Sequence, residues 1–207
     1  MQLLLSKIWP SVRSKNIMFK RPVLPDNAKQ VFKGVIFDVY QWEQTMFDGS
    51  TKTFEMIVRP DSAMVIAVVG DKIYAQNEEQ PGDLFFTSIP GGRVDEGETP
   101  LEAAKRELEE ETGMTSESWD KLMEISPSPK TVYSAHYFIA RDCKSGGRTH
   151  DDGGGEKITS RWITFDEFLE LPYIDNFYEH GIFSEYLLKC KLDPVMKEEL
   201  RKKIFGI

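Results

Sequence analysis

The chain has 207 residues, of which 40% are hydrophobic and 29% charged, with 26 basic and 34 acidic side chains for a net charge of −8. That mix fits an ordinary globular domain and excludes a disordered or collagen-like chain. The acidic balance argues against a nucleic-acid binder that works by neutralising phosphates, and the longest apolar runs (Leu3–Leu5, Met64–Val69) are far below the ~20 residues of a membrane span.

The first 33 residues run against the rest, with seven basic side chains and one acidic one, Asp26. Residues 1–30 have no clean period, and Pro10, Pro22 and Pro25 interrupt them. A targeting peptide is one reading, but the apolar stretch is short for a secretory core. The expectation is a basic N-terminal extension that packs on an acidic body, followed by one domain over 31–207. Val31 to Trp42 is rich in β-branched and aromatic residues and predicts a strand. Asp48-Gly49 predicts a turn and Thr53 to Val58 a returning strand, so a hairpin comes first. Met64–Val69 predicts a central buried strand, Lys72 to Gln76 a neighbour across the Gly70-Asp71 turn, and Leu84 to Ile89 another strand.

Thr99 to Thr112 is the best-specified helix, with Thr99 as N-cap, Pro100 at the first helical position, Glu102 completing a capping box and Gly113 as the stop. Downstream, Thr131 to Ala140 reads as a strand, Arg141 to Gly155 as a polar, glycine-rich mobile loop, and Lys157 to Ile163 as the last strand. Helices follow near Thr164 to Leu171 and Pro194 to Phe205. The order implies an α/β sandwich with a mixed sheet. Cys143 and Cys190 stand far apart with neither disulfide nor zinc spacing, which suits a reducing, cytoplasmic compartment.

The chemistry concentrates in residues 91–114, GGRVDEGETPLEAAKRELEEETGM. Glu107, Glu109, Glu110 and Glu111 crowd the C-terminal end of the helix, where the dipole favours cations and where like charges at i, i+4 repel. A solvated acidic face is the plain explanation. A divalent cation is the sharper one, because Glu107, Glu110 and Glu111 fall at i, i+3, i+4 and form an oxygen-rich face suited to Mg²⁺ or Mn²⁺. Arg106 has two partners in reach, Glu102 and Glu98. Backbone groups at Gly91 and Gly92 are placed to add a carbonyl ligand or to meet phosphate. The stretch Gly92–Thr99 has the spacing of a phosphate-binding P-loop, but Glu98 stands where that loop needs lysine, so the reading fails.

The segment resembles the Nudix box, G-x5-E-x7-R-E-U-x-E-E-x-G-U with U aliphatic. Gly92, Glu98, Arg106, Glu107, Leu108, Glu110, Glu111, Gly113 and Met114 occupy every defined position. The resemblance implies an α/β/α sandwich that hydrolyses a nucleoside diphosphate linked to a group X. It also implies Mg²⁺ or Mn²⁺ on Glu107, Glu110 and Glu111, with Gly91 adding a ligand. A box glutamate, Glu110 or Glu111, or else Glu156 in the glycine-rich stretch, serves as general base, and Arg106 orients the carboxylates. Glu156 is otherwise a surface carboxylate at a strand start, and Asp151, Asp152 and His150 are weaker candidates.

Within the family, the chain is most similar to the ADP-ribose pyrophosphatases. Pro129 lies 15 positions after Met114, and that subgroup places a proline at about that distance; the hairpin from Val31 to Arg59 resembles its N-terminal strands. The similarity implies a homodimer and a base-binding wall, with Trp42, Phe47 and Phe54 as stacking candidates and Arg59, Glu98 and Gly92 toward the substrate. Core or interface packing is the alternative for each aromatic. Two departures stand out: Asn77-Glu78-Glu79-Gln80-Pro81 replaces the usual E-Q-x-R run, and Ser126-Pro127-Ser128-Pro129 the usual S-P-G segment. The expected partner is a small nucleoside diphosphate derivative, with ADP-ribose first. Nucleotide sugars, dinucleotide polyphosphates and nucleoside triphosphates are the alternatives, as is a non-catalytic nucleotide sensor. Neither nucleic acid nor membrane is expected as a partner.

Overall fold

The computed structural model describes residues 20–82, 84–146, 157–179 and 181–207. Most of the basic extension, together with His150, Asp151, Asp152 and Glu156, lies outside the described residues. The N-terminal sheet is formed by β1 (Lys29–Lys33), β2 (Asp38–Thr45), β3 (Thr51–Val58) and β10 (Thr131–Val132), in that order. β2 and β3 make the expected hairpin, turned at Gly49 (φ 82°), with the Ser50 N–H donating to Asp48 Oδ1 at 2.9 Å.

The larger sheet is mixed. Its strands β4 (Ser62–Val69), β5 (Lys72–Gln80), β9 (Ser118–Ile125), β11 (Ala135–Arg141) and β13 (Lys157–Ile163) run in the order β13-β5-β4-β11-β9. β6 (Leu84–Ser88) joins β5, and β7 (Gly91–Arg93) joins β4. β4 and β11 are parallel, and the other pairs of this sheet are antiparallel. A short ribbon pairs β8 (Met114–Thr115) with β12 (Lys144–Ser145).

β4 is apolar from Ala63 onward because both of its faces are covered. Ala63, Val65 and Ala67 face α1 (Pro100–Thr112) and meet Ala103, Ala104 and Leu108. Met64, Ile66 and Val68 face the opposite layer, α3 (Ile182–Leu192) and α4 (Pro194–Phe205), where Phe183, Leu187, Leu200 and Ile204 are buried. α2 (Phe165–Phe168) adds Phe165 and Phe168 to that second core. The small side chains on the α1 side let helix and sheet approach closely. The result is the expected α/β/α sandwich with a mixed sheet, preceded by a hairpin.

Several elements differ from expectation. The strand expected over Val31–Trp42 is two, β1 and β2, because the Gly34 N–H turns back to the Phe37 carbonyl at 3.0 Å. The strand expected over Thr131–Ala140 is divided into β10 and β11, which join different sheets. The last-third helix near Thr164–Leu171 is one α-turn followed by a 3-10 turn at Leu171–Tyr173. β9 and α3 were not anticipated. Cys143 and Cys190 are free and buried. Among the described residues, no helix is long and apolar enough to cross a membrane.

Candidate active site

α1 has the capping that its sequence predicts. The Thr99 side chain accepts from the Glu102 N–H, Glu102 accepts from the Thr99 N–H at 2.8 Å, and Gly113 closes the helix in the left-handed region (φ 65°). Because Glu102 is used in this cap, Arg106 turns to Glu98. The guanidinium meets the Glu98 carboxylate through Nε (3.1 Å) and Nη2 (3.0 Å). It also donates to Glu107 Oε1 at 2.8 Å, to Glu110 Oε2 at 3.0 Å and to the Arg93 carbonyl at 2.8 Å. These bonds, led by the pair with Glu98, raise the Arg106 pKa further and lower that of Glu98. One arginine thus ties β7, the loop after it and two helix carboxylates together.

β7 lies against β4 with Met64 opposite Gly91 and Ala63 opposite Gly92. Both glycines allow close approach. A Cβ on Gly91 would come within 2.5 Å of the Ala63 carbonyl oxygen, and one on Gly92 would fall on the Glu107 carboxylate. The Gly91 N–H donates to Glu111 Oε2 at 3.1 Å. Gly92→Ala is therefore expected to displace Glu107. A displacement of about 1 Å at a site built on positioning costs roughly 100-fold in turnover, to be read as kcat beside an unchanged far-ultraviolet circular dichroism spectrum.

Glu107, Glu111, Gly91, Gly92 and Arg59 line one cavity of about 710 Å³. Burial raises the pKa of Glu107 and, much more strongly, of Glu111. Gln76, itself buried, donates Nε2 to Glu111 Oε2 at 2.7 Å and to Glu78 Oε1 at 3.0 Å, and Ser88 Oγ also donates to Glu78. The Gln76 side-chain oxygen, Oε1, has no partner among the described residues. An orphaned oxygen among carboxylates whose charge is resisted by burial is the donor chemistry of a hard cation. The ligand set is not assembled, however: among the described residues, no three acidic, histidine or cysteine side chains converge as a metal site. The i, i+3, i+4 spacing puts three glutamates on one side of α1, but only Glu107 and Glu111 line the cavity. Glu110 is exposed and held by Arg106.

Arg59 lines the cavity with its guanidinium 4.3 Å from the Tyr133 ring centre, and its Nε has no partner among the described residues. Trp42 and Phe47 are not among the cavity's lining. Trp42 is buried on β2 against Phe54 (ring centres 6.1 Å apart), with its indole N–H on Gln44 Oε1 at 3.1 Å. Phe47 sits fully exposed at the hairpin tip. The aromatic lining is instead Phe86, Tyr133, Tyr137 and Tyr178, with the Phe86 and Tyr178 rings tilted against each other, their centres 4.8 Å apart. Sequence reasoning also missed Gln76, Glu78 and Glu179. The only available signal was polar residues inside or beside apolar strands.

His136 is structural, as its place in a strand suggests. It is buried, with Nε2 3.2 Å from Asp61 Oδ2, and Asp61 also holds Arg21 and the Ser134 N–H. These three partners outweigh burial and bring the Asp61 pKa down to about 2.

Comparison with known proteins agrees with this arrangement. The NUDIX domain family matches residues 58–182. The chain is 27% identical over 146 residues to the ADP-ribose pyrophosphatase of Bacillus subtilis (strain 168), covering 69% of this chain and 79% of that protein. It is 26% identical over 147 residues to the methanol dehydrogenase activator of Bacillus methanolicus, covering 70% and 74%. A solved structure described as an ADP compounds hydrolase shares the fold, with a TM-score of 0.67 and 21% identity over 88% of this chain and 98% of that one. The chain belongs to the NUDIX domain family, as a Nudix hydrolase similar to ADP-ribose pyrophosphatases.

Proposed function

We propose that this hydrolase uses Mg²⁺ or Mn²⁺ to cleave ADP-ribose to AMP and ribose 5-phosphate. The observation that carries the proposal is the meeting of Glu107, Glu111 and the two close-approach glycines in one cavity with Arg59. The similarity to the Bacillus subtilis enzyme supports ADP-ribose as the first substrate to try.

A bound cation would neutralise diphosphate charge and lower the pKa of an attacking water. Glu107 and Glu111 would hold it, joined by Glu110 and the Gly91 backbone. Arg106 is a positioning residue: its bonds to Glu98, Glu107 and Glu110 set the helix carboxylates before substrate arrives. The guanidinium of Arg59 meets phosphate oxygens, while the Gly91 N–H holds Glu111 in place. The water oxygen forms the new bond to one phosphorus. The bridging oxygen leaves with its electron pair, and a carboxylate, Glu156 or a box glutamate, takes the water's proton.

The exposed apolar side chains Val31, Phe32, Ile36 and Phe37 of the N-terminal sheet region support a homodimer, in which the exposed Phe47 serves the interface while Trp42 packs inside its own chain. The buried free thiols suit a reducing cytoplasm. The test is product analysis with ADP-ribose beside nucleotide sugars, dinucleotide polyphosphates and nucleoside triphosphates. AMP and ribose 5-phosphate are expected only with added cation, and fastest from ADP-ribose. Preferential turnover of another substrate would discard ADP-ribose and keep the hydrolase.

A further inference from the structure

Glu179 lines the same cavity and has no part in the chemistry above. It is 5% exposed, and neither carboxylate oxygen has a hydrogen-bond partner among the described residues. Burial outweighs the easing of its charge by the backbone N–H groups of Glu179 itself and of Ile89. Its place is fixed by the backbone on both sides. The Thr87 N–H donates to the Asn176 carbonyl at 2.9 Å, and the Tyr178 N–H to the Thr87 carbonyl at 2.8 Å. Ser184 Oγ donates to the Glu179 carbonyl at 2.6 Å. A buried carboxyl group without partners is among the costliest things a fold can hold. Here it is held rigidly and lines a cavity, where a ligand completes its hydrogen bonds.

The surroundings say which part of a ligand. Glu179 senses the charge of Glu78, and Glu78 is joined through Gln76 to Glu111. Glu179 is therefore only one carboxylate removed from the diphosphate position. In a nucleoside diphosphate linked to X, the groups bonded directly to the phosphates are the nucleoside's own sugar and X itself, and the base lies one sugar further away. Arg59 in the same cavity disfavours a cationic group. We propose that Glu179 selects a hydroxyl-bearing sugar as the group X, its carboxyl group hydrogen-bonding to adjacent sugar hydroxyls. This rests on reading the cavity as the diphosphate site.

The test is equilibrium binding by calorimetry, with cation removed by chelator so that no turnover occurs. The ligands are ADP-ribose and its analogue lacking the 2- and 3-hydroxyls of the terminal ribose. The wild type is expected to prefer ADP-ribose by at least about 10-fold, since a site built to bond hydroxyls rejects a ligand without them. Glu179→Leu is expected to bring the two ligands within about 2-fold, while Glu179→Gln, which keeps a hydrogen-bonding group, retains part of the preference. A wild type that does not discriminate, or a preference that survives in Glu179→Leu, overturns the proposal. So does a Glu179→Leu effect seen instead between ADP-ribose and IDP-ribose, which would place Glu179 at the base. Discriminating binding without cation-dependent turnover supports the sugar assignment and sinks the hydrolase reading. Turnover without discrimination does the reverse.

Discussion

Glu111→Gln is expected to lower kcat by about 10³-fold, the scale of losing one preorganised electrostatic group, while leaving the fold intact and the cation-free protein no less stable. Glu111 Oε2 accepts from Gln76 and from the Gly91 N–H, and burial resists its charge. A glutamine keeps the volume and an accepting oxygen, and it removes the group that burial penalises. Stability and turnover should therefore separate. The same change should remove the rise in melting temperature that Mg²⁺ gives the wild type. A Glu111→Gln protein that retains turnover would show that this carboxylate holds no cation in the reaction. A collapsed fold would mean that the bonds to Gln76 and Gly91 matter more than the charge.

The second large effect is a fall in stability with rising pH that Glu179→Gln abolishes. Burial pushes the Glu179 pKa from its ordinary 4.5 up to about 8. The folded state therefore keeps a proton that the unfolded chain releases near 4.5. Stability is greatest below that value, falls as pH rises, and levels off once the folded group ionises near 8. The full shift corresponds to roughly 4 to 5 kcal/mol. Urea denaturation at pH 5.5 and pH 8, cation-free, is the measurement. Glu107 and Glu111 shift in the same direction but are present in both proteins, so the difference between them isolates Glu179. Parallel pH curves for wild type and Glu179→Gln would mean that Glu179 finds a partner in solution.

How much of this could be read in advance depended on how local the cause was. α1 was legible to its ends because Thr99, Glu102 and Gly113 act within one turn of the chain. α4 agreed for the same reason: Asp193 caps it at 2.8 Å from the Val195 N–H, and Gly206 closes it. β4 was legible because an apolar run covered on both faces needs no period. β9 was not. Its charged residues Asp120, Lys121 and Glu124 face outward, while Leu122 and Ile125 are spaced three apart, across a register shift opposite Tyr137 and Phe138. α3 does bury one face, Phe183, Ser184, Leu187 and Cys190, but Ser184 and Cys190 dilute that stripe and Leu192 lies exposed outside it, so the apolar pattern was hard to see.

The site divides in the same way. The box residues lie on one strand–loop–helix segment, so spacing alone brings them together. Gln76 and Glu78 on β5, Ser88 on β6 and Glu179 before α3 meet only through tertiary folding. For Trp42 and Phe47, aromatic character announces a contact without saying where, and neither lines the cavity of its own chain.

The clasp between β6 and residues 176–178 has a further consequence. β6 is the outer neighbour of β5, and Leu84 and Phe85 are exposed on it. An apolar strand with free backbone groups at a sheet margin is a template for pairing with another chain. Thr87 spends both its N–H and its carbonyl on Asn176 and Tyr178. The segment that carries Tyr178 and Glu179 to the cavity thereby also blunts this margin against self-association, and substitutions that loosen it should be judged for aggregation as well as for catalysis.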